Sequence, residues 1–191
     1  MNSGTETLAT VEDSLIGALH GTVLEIGAGG GANFDRLAAD VDWIGLEPNR
    51  ADTAALHANA ASHGQQRKPL VAECEAIPLA DASVDAVLST LVLCSVHDQR
   101  RSLEEIARVL RPGGVFVFAE HVAAGRRSIL YRLQRIIAPF TRRFDHGCDP
   151  SRDTVSSIRR SPLTITELHE FWLPYAFGLS TPLVAGRAVA V

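Results

Sequence analysis

Lysine is almost missing from this chain. Lys68 is the one lysine among 18 basic residues, so the positive charge rests on arginine. Cysteine is scarce too. Cys74, Cys94 and Cys148 are an odd number at no metal-ligand spacing, which predicts no metal site and reads as reduced thiols in a cytosol-like, cytoplasmic setting. Long apolar runs are absent, so no segment is expected to cross a bilayer. The amino-terminal stretch carries Glu6, Glu12 and Asp13 and no apolar run, which predicts no signal peptide. Excess positive charge is absent as well. A net charge of −4 does not favour nucleic acid as a partner.

What remains is ordinary globular material. The 191 residues suffice for one domain, 1–191, with a real core. Charge is uneven along it: residues 122–160 hold nine arginines against three aspartates, leaving the rest clearly acidic. Strand and helix signals alternate, as in an α/β protein with a parallel sheet. Residues 8–19 predict a leading helix, 22–26 a first strand, 32–39 a helix, 43–46 a second strand and 50–63 an alanine-rich helix closed by Gly64. A short third strand is expected at 69–72 and an apolar fourth at 84–89. A helix at 101–110 and a fifth strand at 115–120 follow. Residues 126–140 predict a basic amphipathic helix, with Ile129, Leu130, Leu133, Ile136, Ile137 and Phe140 turned inward. A short helix at 154–160 and strands at 163–172 and 183–191 complete the chain.

The densest information lies in Val23-Leu24-Glu25-Ile26-Gly27-Ala28-Gly29-Gly30-Gly31-Ala32-Asn33. An apolar strand runs through an acid into glycines, which permit a sharp turn and a close ligand. A helix beginning near Ala32 would aim free N–H groups at that ligand. Glu47 ends the second strand and suits the two hydroxyls of a ribose. Gly27-x-Gly29-x-x-Ala32 also fits a dinucleotide fingerprint. Glu25 argues otherwise: a carboxylate beside the loop suits a cationic ammonium, such as the amino-acid end of S-adenosyl-L-methionine (SAM), better than a pyrophosphate.

Five segments in order resemble a Class I SAM-dependent methyltransferase: Glu25-x-Gly27-x-Gly29-x-Gly31; Glu47; Ala72 to Leu79; Asp81 to Val87; and Arg108-Val109-Leu110-Arg111-Pro112-Gly113-Gly114. Thr90 to Val96, Glu120 to Ala124 and Phe144-Asp145-His146-Gly147-Cys148 resemble, more narrowly, the methyltransferase-like 7 family of thiol S-methyltransferases. The animal members carry an amino-terminal membrane anchor that these residues do not match. The resemblance implies a three-layer Rossmann-like fold with a mostly parallel seven-stranded sheet, its last strand inserted antiparallel. It also implies roles. Glu25, Gly27, Ala28 and Gly29 would follow the methionine and ribose of SAM, and Glu47 the ribose hydroxyls. Pro48 and Asn49 would border the adenine, with Glu73 and the Cys74 N–H reading its edge. Thr90 and Leu91 would line the methyl side.

Candidate catalytic groups are His121, at the carboxyl edge of strand five, and His146 beside Asp145, which together could polarise a substrate proton. The basic segment within 122–160 reads as a lid over a small-molecule acceptor, or as a helix lying on an anionic membrane surface. The expected activity is methyl transfer to a thiol. The alternatives are O- or N-methylation of an aromatic or quinone-like metabolite, a NAD-dependent oxidoreductase, and a non-catalytic SAM-binding module. The fold alone does not choose among them.

Overall fold

A computed structural model describes residues 7–144, 147–174 and 180–190. The helices are α1 (Leu8–Gly17), α2 (Thr53–Ser62), α3 (Gln99–Val109), α4 (Ile129–Phe144) and α5 (Thr154–Arg159). The strands are β1 (Thr22–Ile26), β2 (Asp42–Leu46), β3 (Val84–Thr90), β4 (Leu110–His121), β5 (Leu163–Pro174) and β6 (Ser180–Ala190). They form one sheet in the order β2-β1-β3-β4-β6-β5. The pairings from β2 through β4 are parallel, and β6 enters antiparallel between β4 and β5.

Period-2 alternation sorts side chains to the two faces. Leu24, Ile26, Val87, Phe116 and Phe118 join α3 in one core. Val23, Trp43, Leu88 and Val117 join α1 and α2 in the other. Helix boundaries follow their caps. Thr7 opens α1 by accepting from the Thr10 N–H at 3.2 Å, and Asp98 opens α3 by accepting from the Arg101 N–H at 3.1 Å.

Three expectations are corrected. The helix at 32–39 is absent; residues 29–36 form successive turns. The Asn33 side chain is committed to neighbouring elements, and the Leu37 N–H to Asn33 carbonyl bond at 3.2 Å closes one turn that does not continue. The strand expected at 69–72 is reduced to a bridge between Leu46 and Leu70, so the described sheet has six strands rather than seven. Pro69 has no N–H to donate, and two backbone bonds at Leu70 hold the segment before it turns away. In α4, Ile129, Ile136 and Phe140 are exposed rather than inward. Its apolar residues span a wider arc than the underlying surface covers.

Candidate functional site

The carboxyl ends of β1, β2, β3 and β4 converge on one edge, where the glycine loop leaves β1. Gly27, Gly29 and Gly31 all have positive φ, at 56°, 52° and 81°. Their jobs differ. A Cβ on Gly27 would lie 2.5 Å from Val92, and one on Gly31 would enter the Phe34 ring. Those two serve packing. A Cβ on Gly29 would meet nothing nearer than 3.9 Å, and one on Gly30 nothing within 4 Å. The loop therefore presents an open, side-chain-free lip.

Two carboxylates hold that lip. Glu47, buried at the end of β2, accepts from the Gly29 N–H and from the Asn49 N–H, each at 2.9 Å. Glu25 is 1% exposed and accepts from Asn33 Nδ2 at 2.7 Å and Trp43 Nε1 at 2.8 Å. Burial raises the Glu25 pKa above the ordinary carboxylate range, against the opposing pull of those two donors. Asn33 also donates to Thr90 Oγ1 at 3.0 Å. A continuous chain of side chains thus joins β2, β1, the loop and β3. Its geometry depends on Gly45, where any Cβ would run into the Trp43 indole. Without that Cβ the indole lies across the strand and reaches Glu25.

A third buried acid organises the other side. Glu120, at the end of β4 and fully buried, accepts from Ser89 Oγ at 2.6 Å, from the Val92 N–H at 3.1 Å and from the Cys94 N–H at 3.3 Å. Burial pushes its pKa up, against those donors. This anchor holds the loop after β3, in which Leu91 has φ 59° and stays 49% exposed. A leucine in the left-handed region costs on the order of 1 kcal/mol, and the Leu91 N–H to Ala119 carbonyl bond at 2.8 Å helps to fix it.

The remaining sequence candidates fall as follows. Ala28 is buried, and its N–H donates to the Leu46 carbonyl at 3.1 Å. Pro48, Asn49 and Glu73 are exposed on the same edge. Cys74 is buried in a 3-10 turn, Cys74–Ala76, where burial pushes its thiol pKa up to about 12. His121 is half-buried and lines a cavity of about 50 Å³ beneath α4, together with Leu130, Leu133, Ile137 and Cys148. Gln134 pins α4 over it, donating to the Val122 carbonyl at 3.1 Å and accepting from the Ala124 N–H at 2.8 Å. Asp145 and His146 lie outside the described residues. Cys94, His121 and Cys148 place their sulfur and nitrogen atoms within 4.8 Å of one another. Among the described residues no helix is long and apolar enough to cross a membrane.

Sequence reasoning missed Asn33, Trp43 and the anchoring role of Glu120. An acid closing an otherwise apolar central strand is a usable signal for Glu120. The Trp43–Glu25 pairing emerges only once β1 and β2 are set in register.

Comparisons with known proteins agree with this geometry. A family model described as a methyltransferase domain matches residues 24–118. Human thiol S-methyltransferase TMT1A is 36% identical over 171 residues, covering 88% of this chain and 70% of its own length. Among solved structures, a putative methyltransferase from Bacillus halodurans superposes with a TM-score of 0.76 at 14% identity, covering 93% of this chain and 96% of its own. Geranyl diphosphate C-methyltransferase from Streptomyces coelicolor, solved with S-adenosyl-L-homocysteine, gives a TM-score of 0.73 at 15% identity, covering 96% of this chain and 76% of its own.

Proposed function

This chain belongs to the SAM-dependent methyltransferase family, and from that premise we propose that it transfers the methyl group to a small-molecule thiol. One observation carries the thiol reading: 36% identity to human thiol S-methyltransferase TMT1A across 88% of the chain. The apolar cavity beneath α4, with His121 and Cys148 on its wall, is consistent with a small apolar acceptor.

The residues at the β-strand edge fit the cofactor. Gly29 and Gly30 leave room for a ligand to approach the backbone. The missing helix after the loop removes the N-terminal N–H cluster that a pyrophosphate would favour, which weighs against a dinucleotide. In this reading Gly27, Ala28 and Gly29 follow the methionine and ribose, and Glu47 takes the ribose hydroxyls with its remaining acceptor capacity. Glu25 lies beneath the amino-acid end, where a bound ammonium would favour its carboxylate form against burial, and braces Asn33. Pro48, Asn49, Glu73 and the Cys74 N–H border the adenine, while Thr90 and Leu91 face the methyl side.

SAM supplies a methyl group already activated on a sulfonium, whose departure leaves a neutral thioether. The protein must therefore align the acceptor and exclude water. A thiol has an ordinary pKa near about 8.5, so some thiolate exists at neutral pH. His121 is proposed to take the proton from the remainder, with Asp145 and His146 as candidate helpers on sequence grounds. The segment 122–160, with α4 at its centre, acts as the cover.

Purified protein incubated with methyl-labelled SAM and a panel of thiols, phenols and amines tests this. Label on thiols is the expected result. Label on phenols or amines alone removes the thiol assignment while leaving the enzyme class intact.

A further inference from the structure

We propose that Cys94, His121 and Cys148 form a site for a thiophilic divalent cation, zinc foremost, on the wall of the cavity beneath α4. Three separate elements bring them together. Cys94 lies in the loop after β3, His121 ends β4, and Cys148 follows α4. Their spacing along the chain gives no hint of this, because the ligand set exists only once the sheet is assembled.

The chemistry of the set suits the metal. Two thiolates and one imidazole are zinc's preferred donors, and they neutralise its double charge. Neutrality matters here, because Cys94 is 1% and Cys148 8% exposed, and an uncompensated charge at such a place is costly. The geometry fits as well. Donors on a tetrahedral zinc stand roughly 3.5–4 Å apart, given bond lengths of about 2.0–2.3 Å. Cys148 Sγ and His121 Nδ1 are 3.9 Å apart, and all three donor atoms fall within 4.8 Å. Contraction by about 1 Å about a central ion completes the arrangement. The Cys94 backbone is already fixed by its N–H bond to Glu120 at 3.3 Å.

Three donors fill three of zinc's four positions. His121 and Cys148 line the cavity, so the fourth position is reachable from within it. With the metal bound, His121 serves as a ligand rather than as the base: a thiol arriving there would form a sulfur–metal bond and release its S–H proton to solvent, with no change of oxidation state. It would then be held as a thiolate. That use of the site rests on the proposed thiol acceptor; metal binding itself does not.

Full-length protein grown with added zinc, then passed through metal-free buffer, is assayed for metal by mass spectrometry. Cobalt(II) titration provides a second readout through its sulfur-to-metal charge-transfer absorption. The expected result is about one zinc per chain, falling at least about fivefold in Cys94→Ser, Cys148→Ser and His121→Asn but not in Cys74→Ser. Calorimetry with SAM confirms that each variant is folded. Wild-type protein without bound zinc and without the cobalt–thiolate band overturns the site, as does equal zinc in the three folded variants. Zinc binding with methylation of phenols alone would sustain the site and remove the thiol acceptor. Undiminished thiol methylation by protein stripped of its zinc would sustain the acceptor and remove the metal's part in holding it.

Discussion

Single atoms decide the cofactor edge. Glu47 holds the loop through the Gly29 N–H and is the proposed ribose ligand, so Glu47→Ala removes both a brace and an acceptor. Hydrogen bonds to a charged group are worth about 1.5–3 kcal/mol. Calorimetry should therefore show SAM affinity falling on the order of 10- to 100-fold, with circular dichroism unchanged; unaltered affinity would dismiss Glu47 as a ligand. Gly45 makes a second, less obvious prediction. Gly45→Ala forces the fully buried Trp43 indole away from Glu25 and leaves that buried carboxylate short of a donor. A loss of about 1–3 kcal/mol is expected, measured by urea unfolding, with tryptophan emission shifted to the red. Trp43→Phe, which deletes the donor without adding bulk, should lose a comparable amount. The two residues illustrate what a sequence reveals at this scale. The position of Glu47 was legible because it depends on local order, an acid at a strand end; its bond to the Gly29 N–H was not. Gly45 was not, because its role depends on a partner strand.

At the scale of elements, α4 is the piece whose identity was legible and whose orientation was not. Its basic amphipathic pattern predicted a helix, and the structure places one at Ile129–Phe144. Periodicity fixes which residues share a stripe, but only the neighbouring surface decides which part of a wide stripe is covered. Leu130, Leu133 and Ile137 line the cavity, while Ile136 and Phe140 are 67% and 65% exposed. The cover reading makes a corresponding prediction. Leu133→Ser should raise the acceptor's KM roughly 5- to 30-fold, equivalent to about 1–2 kcal/mol of lost apolar contact, without changing SAM affinity. Ile136→Ser should change neither. Equal effects from both would mean that α4 does not cover the acceptor. The elements at 32–39 and 69–72 failed to appear for a related reason. Local propensity favoured a helix and a strand, yet Asn33 is drawn to Glu25 and Thr90, and Pro69 cannot extend a ladder.

Across the whole molecule, the order of elements was enough to anticipate a parallel α/β sheet, because alternating strand and helix signals admit few topologies; the late antiparallel insertion was expected only from the family resemblance. What alternation could not reveal is that three acids, Glu25, Glu47 and Glu120, are carried inside it. Two of them link stability to pH. Glu25 and Glu120 have folded-state pKa values raised by burial, so folding takes up protons at these sites. Their favourable contribution is complete below the unfolded carboxylate value of about 4.3 and is lost as pH rises through the raised folded values. Asp85 and Glu105 work in the opposite sense. Bonds from Arg111 to Asp85 and from Arg108 to Glu105 lower their folded pKa values. Their contribution is present above the unfolded value and fades as pH falls through the folded one, though partial solvent exposure keeps it small. Unfolding free energy should therefore decline as pH rises above the ordinary carboxylate range and through the raised values of Glu25 and Glu120. Urea titrations at a series of pH values test the sign. Glu120→Gln should be less stable overall, because an amide cannot accept from all three donors, yet its stability should vary less with pH above the ordinary carboxylate range than that of the wild type. A variant with the same slope would show that Glu120 does not titrate there and is ionised throughout, held by Ser89 and the backbone of Val92 and Cys94.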